Sequence, residues 1–176
     1  MKIYLASQIF AECWRDFNEK ITQRLEQEFP NWEFYVPQRN NSINDKTRCA
    51  GAEEITAGDL DNNLDHDDVV IAILDGDTPG IGTTFECGYF ARLCQEEINR
   101  QGYTHKRIFG LYTDTREAKN TYLPAKNQKM QDEFCECQYS YLNLLLVGGV
   151  KRYGKMCRTI DEIIEELHKL EELINE

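Results

Sequence analysis

Positive charge is scarce in this chain. Its 20 lysines and arginines stand against 31 aspartates and glutamates, which leaves a net charge of −11. A surface of that sign repels a polyanion and gains no counterion release on binding one, so no nucleic acid and no membrane surface is expected as partner. Long apolar runs are missing as well. The N-terminal run, residues 3–6, is too short for the apolar core of a secretory signal, and no later run approaches the ~20 residues of a membrane span. A soluble, cytoplasmic protein is expected. Cysteine is present but lacks framework spacing: the seven residues at 13, 49, 87, 94, 135, 137 and 157 are odd in number and scattered, as reduced thiols are. The close pair Cys135 and Cys137, even with Cys157, lacks the spacings of a tetrahedral zinc site, so no metal is expected. With no internal repeat and 176 residues, the chain suits one domain over 1–176.

What is present is an alternation of strand and helix patterns. Residues 3–6 form a short apolar run, and Phe10, Trp14, Phe17, Ile21 and Leu25 follow at helical intervals. Residues 32–36 read as a second strand closed by Pro37, and residues 53–64 as a helix with Ile55, Leu60 and Leu64 on its apolar stripe. Residues 69–74 are uniformly apolar, the composition of a parallel strand covered on both faces. Residues 83–100 read as a helix, 107–112 and 141–147 as strands, and 159–175 as a last helix whose Thr159-Ile160-Asp161-Glu162 has the form of a capping box. The pattern predicts an α/β fold of flavodoxin-like type: a five-stranded, largely parallel sheet, doubly wound, with helices on both faces. Such sheets bind ligands beyond the carboxyl ends of their strands, at the switch point between the first strand and its neighbour. If the first and third strands are those neighbours, Gln8 and the segment from Asp75 to Glu86 face one crevice. The polar stretch 113–139 reads as a lid or a subunit contact.

The segment from Asp75 to Phe90, DGDTPGIGTTFECGYF, places Gly80 and Gly82 just before Glu86. Glycines ahead of a helix can cradle phosphate, but no Gly-Lys-Ser/Thr follows, which excludes a Walker A loop. A helix beginning at residue 83 puts Glu86 in its first turn, where the macrodipole stabilises a carboxylate by about 0.3–1 kcal/mol. Glu86 is then either a helix-end charge or a nucleophile held ionised at the end of the central strand. The surroundings favour the second. Gly82-Thr83-Thr84-Phe85-Glu86-Cys87-Gly88-Tyr89 resembles the G-T-x-x-E-x-G-Y/C signature of the nucleoside 2-deoxyribosyltransferase family. The resemblance extends to Lys2-Ile3-Tyr4-Leu5-Ala6, to Asp59-Leu60, to Asp68-Val69-Val70-Ile71-Ala72 and to Leu142-Asn143-Leu144-Leu145, in the family's order.

That resemblance implies transfer of 2-deoxyribose between nucleobases, with Glu86 as the nucleophile at C1', Tyr4 bonded to it, and Asp59 delivering a proton to the departing base. Asp61, Asp65, Asp67 and Asp68 crowd the same stretch, and several of these aspartates are expected to be ordinary solvated helix charges. Asn143 matches an asparagine that reaches the sugar's 5' end from a neighbouring subunit, which implies a homo-oligomer. The implied partners are deoxynucleosides and nucleobases. In one respect the sequence departs: where most of these transferases carry an aspartate six residues before the nucleophile, Gly80 stands here. Related deoxynucleoside-monophosphate glycosidases have a small residue there, so a hydrolase is the runner-up, and Asp77 is a candidate substitute for the missing aspartate. Gln8 and Phe10 are candidates for holding or stacking on a base, although Phe10 could equally begin the core stripe of the first helix. Gly82 and Asp75 complete the expected substrate-binding set. A non-catalytic nucleotide-binding module is the reading from another class. His66, His105, His168 and Cys87 are expected to be surface or packing residues.

Overall fold

The computed structural model describes residues 1–44, 47, 51–76, 78–114 and 142–175. Five strands form one sheet: β1 (Lys2–Ala6), β2 (Glu33–Tyr35), β3 (Val69–Ile73), β4 (Arg107–Leu111) and β5 (Gly154–Cys157). All pair in parallel in the order β2-β1-β3-β4-β5, the flavodoxin-like order with its switch point between β1 and β3. β3 is central and wholly buried, which is why its sequence does not alternate.

Helices cover both faces, as expected. On one side α1 (Glu12–Glu28) and the C-terminal helix Ile160–Asn175 bury Ile21, Leu25, Ile163, Leu167 and Leu170 against Ile3, Leu5, Ile71 and Phe109. On the other, the helices Ile81–Gln101 and Leu144–Tyr153 bury Cys87, Phe90, Cys94, Val147 and Val150 against Tyr4, Val70, Ala72 and Ile108. Two short helices precede β3, so the helices are numbered α2 (Asn41–Asn44), α3 (Ala52–Thr56), α4 (Ile81–Gln101), α5 (Leu144–Tyr153) and α6 (Ile160–Asn175). Thr159 Oγ accepts from the Glu162 N–H at 3.2 Å, the capping role that its sequence predicts.

Three local expectations are corrected. The apolar stretch at 141–147 is not the last strand: from Leu144 it belongs to α5, and β5 lies at Gly154–Cys157. Asn143 starts the helix by accepting from the Leu145 N–H at 2.9 Å, and only one side of the run, Leu146, Val147 and Val150, is buried. The expected helix over 53–64 is broken into α3, a π-helical turn at Ala57–Asp61 and a 3₁₀ turn at Leu64–His66, with Ile55 left exposed rather than in the stripe. Phe10 precedes α1 and is 77% exposed, so it is no part of the core stripe. The stretch 113–139, apart from Thr113 and Asp114, lies outside the described residues, as do Cys49, Cys135 and Cys137.

Candidate active site

Tyr4 and Tyr35 are register partners on β1 and β2, so their side chains emerge from the same face of the sheet. Their ring centroids lie 5.2 Å apart at an interplanar angle of 38°. α4 crosses that face, and this brings Glu86 to the Tyr4 hydroxyl, which donates to Glu86 Oε1 at 2.8 Å. The Tyr35 hydroxyl donates to Asp59 Oδ1 at 2.9 Å. Two carboxyl groups, each tied to a tyrosine, thus face one another below the carboxyl ends of β1 and β3.

The electrostatics follow from that enclosure. Burial pushes the Glu86 carboxyl up to about 7; the Tyr4 hydrogen bond opposes this and the Asp59 charge adds to it. Burial likewise raises Asp59, with the Tyr35 hydrogen bond, and to a lesser degree the polar Tyr4 hydroxyl nearby, opposing. Tyr4 is raised far beyond its ordinary range by its own burial and by both carboxylates, so it stays a hydrogen-bond donor. Here the sequence expectation needs another correction. α4 begins at Ile81, not at residue 83, and its first turn holds no acidic residue. Glu86 sits past the reach of the helix end, and what tunes it is burial and Tyr4.

The aspartate crowd sorts itself by position. Asp59 is carried inward on the π-helical turn, closed by the Asn62 N–H on the Ala57 carbonyl at 3.0 Å. Its charge is felt by both Tyr4 and Glu86. Asp61 and Asp65 are exposed, Asp65 accepting from the Tyr89 hydroxyl at 2.6 Å, while Asp68 accepts from the Lys2 N–H at 2.8 Å. Asp67 is 3% exposed, buried at the amino end of β3 rather than solvated, and burial pushes its carboxyl up to about 7.

Around this pair the rim residues take distinct places. Gln8 Nε2 donates to the Thr78 carbonyl at 3.3 Å and so bridges the loops after β1 and β3. Its own carbonyl accepts at 3.0 Å from Nδ2 of buried Asn18, which also donates to Gln38 Oε1 at 2.9 Å. Asp75 is committed elsewhere: Oδ1 accepts from the Thr113 N–H at 2.6 Å and Oδ2 from the Thr113 hydroxyl at 2.9 Å, pinning the ends of β3 and β4 together. A Cβ at Gly80 would stand 2.9 Å from Thr83 Oγ and 3.1 Å from Gln8 Cγ, so a side chain there would displace one of them. Thr83 Oγ is buried and has no protein partner among the described residues. Gly82 is exposed with open space where a side chain would go, and Asp77 lies outside the described residues. Asn143 is exposed and borders a cavity of about 300 Å³ between α4 and α5 that Thr84 and Cys87 also line.

Tyr35, Asn40, Asn18 and Thr83 border the candidate site and were passed over by sequence reasoning. An aromatic in a strand reads as core, and Asn40-Asn41-Ser42 reads as a turn; only the β1–β2 register shows that Tyr35 stands beside Tyr4. Cys87 packs inward with its thiol pushed up to about 12 by burial, and His66 and His105 are exposed. No cluster of three metal-ligating side chains occurs among the described residues, nor any helix long and apolar enough to cross a membrane.

Comparison with known proteins adds the following. A conserved protein of Enterococcus faecalis V583 superposes with a TM-score of 0.71 at 28% identity, covering 96% of this chain and 98% of its own. A 2-deoxyribosyltransferase of Bacillus psychrosaccharolyticus superposes with a TM-score of 0.49 at 19% identity over 78% of this chain and 96% of its own, too distant to carry an argument. No curated protein matches. The family model of nucleoside 2-deoxyribosyltransferases matches residues 3–157, a span that contains Tyr4, Asp59, Glu86 and Asn143, and the chain therefore belongs to that family of transferase enzymes.

Proposed function

We propose that the protein moves 2-deoxyribose between nucleobases by a retaining double displacement through an ester on Glu86. The observation that carries this reading is the pair Tyr4–Glu86, bonded at 2.8 Å, with Asp59 beside it. In the first half-reaction the Glu86 carboxylate forms a bond to C1' as the bond from C1' to the base nitrogen breaks, its electron pair leaving with the base. Asp59 gives its proton to that base. In the second, the nitrogen of an incoming base attacks C1', the ester oxygen leaves as carboxylate, and Asp59 recovers a proton. The transition states resemble an oxocarbenium ion, which a carboxylate on one face stabilises before it traps. A Glu86 group near 7 is divided between its acid and its ionised forms at neutral pH, with the ionised form competent to attack.

Self-association belongs to the same reading. Asn143 stands on the α4–α5 side, beside exposed Leu144 and Leu145, with Ile81 and Phe85 exposed on α4, and serves the site of a second copy. Gly80 favours a second reading. With no carboxylate at that position and the Thr83 hydroxyl beside it without a partner among the described residues, the 5' end can carry a phosphate, and water can be the acceptor.

Chromatography of products from deoxyadenosine or deoxyinosine, with and without cytosine, tests both. Deoxycytidine is expected, together with a deoxyribosyl adduct on the Glu86 peptide after acid quench, both absent in Glu86→Gln. Free deoxyribose, or its 5-phosphate from a monophosphate, without exchange would replace the transferase by a hydrolase. Ligand binding without turnover of any donor would leave a binding module.

A further inference from the structure

Asp59 has a support that neither the family signature nor the mechanism above uses. Ser42 provides an unambiguous donor, its backbone N–H, and this donates to Asn40 Oδ1 at 3.1 Å, as does the Ser42 hydroxyl at 2.5 Å. That fixes which end of the Asn40 amide is oxygen. The other end, Nδ2, therefore donates to the Tyr35 hydroxyl oxygen at 2.9 Å. With its oxygen accepting from Asn40, Tyr35 has one proton to place, and the acceptor in reach is Asp59 Oδ1 at 2.9 Å. The chain of donors runs one way, from Ser42 through Asn40 and Tyr35 to Asp59.

We propose that Tyr35, oriented by Asn40, is the positioning residue of the proton donor: it occupies Oδ1 of Asp59 as a donor in both protonation states, so the proton exchanged with the base is carried on Oδ2. This rests on the role given to Asp59 above. A carboxylic acid has two oxygens, and rotation about its last bond would otherwise present either of them. A donor locked on one oxygen removes that freedom and favours the ionised form, offsetting part of the burial that disfavours it. The groups facing Asp59 are Tyr35 from β2, Tyr4 from β1 and Glu86 from α4, and Tyr35 is itself turned toward Asp59 by Asn40.

The test combines a direct titration with kinetics. Carbon-13 NMR of aspartate-labelled protein, with the Asp59 signal assigned through Asp59→Asn, follows the carboxyl in the parent, in Tyr35→Phe and in Asn40→Ala. Tyr35→Phe keeps the ring, and its melting curve checks that it folds. The Asp59 titration is expected to move to higher pH by about one unit in Tyr35→Phe and less in Asn40→Ala, because a hydrogen bond to the charged form is lost or loosened. The pH profile of base exchange moves the same way, and kcat falls on the order of tenfold with KM little changed. The fall disappears with a deoxyribosyl donor whose leaving group needs no proton. An unmoved Asp59 titration in Tyr35→Phe overturns the proposal whatever the activity. So does full base exchange in Tyr35→Phe when Asp59→Asn is impaired. Unimpaired exchange in Asp59→Asn instead removes the reading of Asp59 as proton donor, and the proposal with it.

Discussion

At the scale of the residue, the central fact is a carboxyl group placed where water would hold its charge better. Glu86 is raised from an ordinary 4.5 to about 7, first by burial. Between those two values the folded chain binds the Glu86 proton more tightly than the unfolded chain does. Stability from this group therefore falls as pH rises through that window and stays low above it. Glu86→Gln mimics the protonated form and is expected to be more stable than the parent at pH 8, by about 1–3 kcal/mol after allowance for partial exposure, and nearly equal to it at pH 5. Urea unfolding at the two pH values measures this; equal stability at pH 8 would mean that the Glu86 charge is not held at a cost. Asp67 is raised in the same window, again first by burial, and its Oδ2 has no partner among the described residues. It lies at the opposite end of β3, so part of the pH slope survives in Glu86→Gln, and a displaced carboxylate alone does not mark a site.

At the scale of the element, what was legible in the sequence and what was not divide along one line. The runs 3–6, 69–74 and 107–112 are apolar almost throughout because β1, β3 and β4 are covered on both faces, and their strand character could be read directly. β5 could not: its four residues include two that are not apolar, and a nearby apolar run with no strong periodicity drew the assignment instead. The π-helical turn that swings Asp59 inward leaves no periodic trace either; Asp59 and Glu86 were singled out through family resemblance, whereas Tyr35 needed the β1–β2 register and Asn40 its hydrogen bond to Tyr35. Gly154 gives β5 a sharp test. A Cβ there would lie 1.9 Å from the Ile108 carbonyl oxygen, whereas one at Gly148 in α5 would meet nothing within 4 Å. Gly154→Ala is expected to lose about 3 kcal/mol or more, because backbone has to move, while Gly148→Ala gains about 0.5–1 kcal/mol from helix propensity. Thermal or urea melts of the two variants compare them; a Gly154→Ala protein as stable as the parent would contradict the β4–β5 pairing.

At the scale of the whole molecule, the two faces of the sheet are finished differently. The α1–α6 side leaves Leu173 and Ile174, at the end of α6, about half exposed, while the α4–α5 side leaves Ile81 at 90% and Leu145 at 86% exposure, with Phe85 and Leu144 also exposed on these two helices, on a chain whose net charge is −11. Large apolar side chains left this exposed on two packed helices of so acidic a chain mark a contact face, and the proposed contact is a second copy. Leu145→Glu is then expected to shift the light-scattering mass from a multimer toward the monomer and to reduce base exchange, although Leu145 touches neither Tyr4 nor Glu86. A mass change alone would show association without showing that a site is shared. Complementation separates the two. Glu86→Gln lacks the proposed nucleophile and Asn143→Ala the proposed rim asparagine, so each variant alone is expected to be nearly inactive. If Asn143 serves the neighbouring site, random reassortment into dimers pairs an intact Glu86 with an intact Asn143 in about a quarter of the sites. Mixed and refolded subunits should recover activity toward that fraction. If Asn143 acts within its own chain, no mixture contains a complete site and activity stays absent, which would return the α4–α5 face to a packing role and make each subunit's site its own.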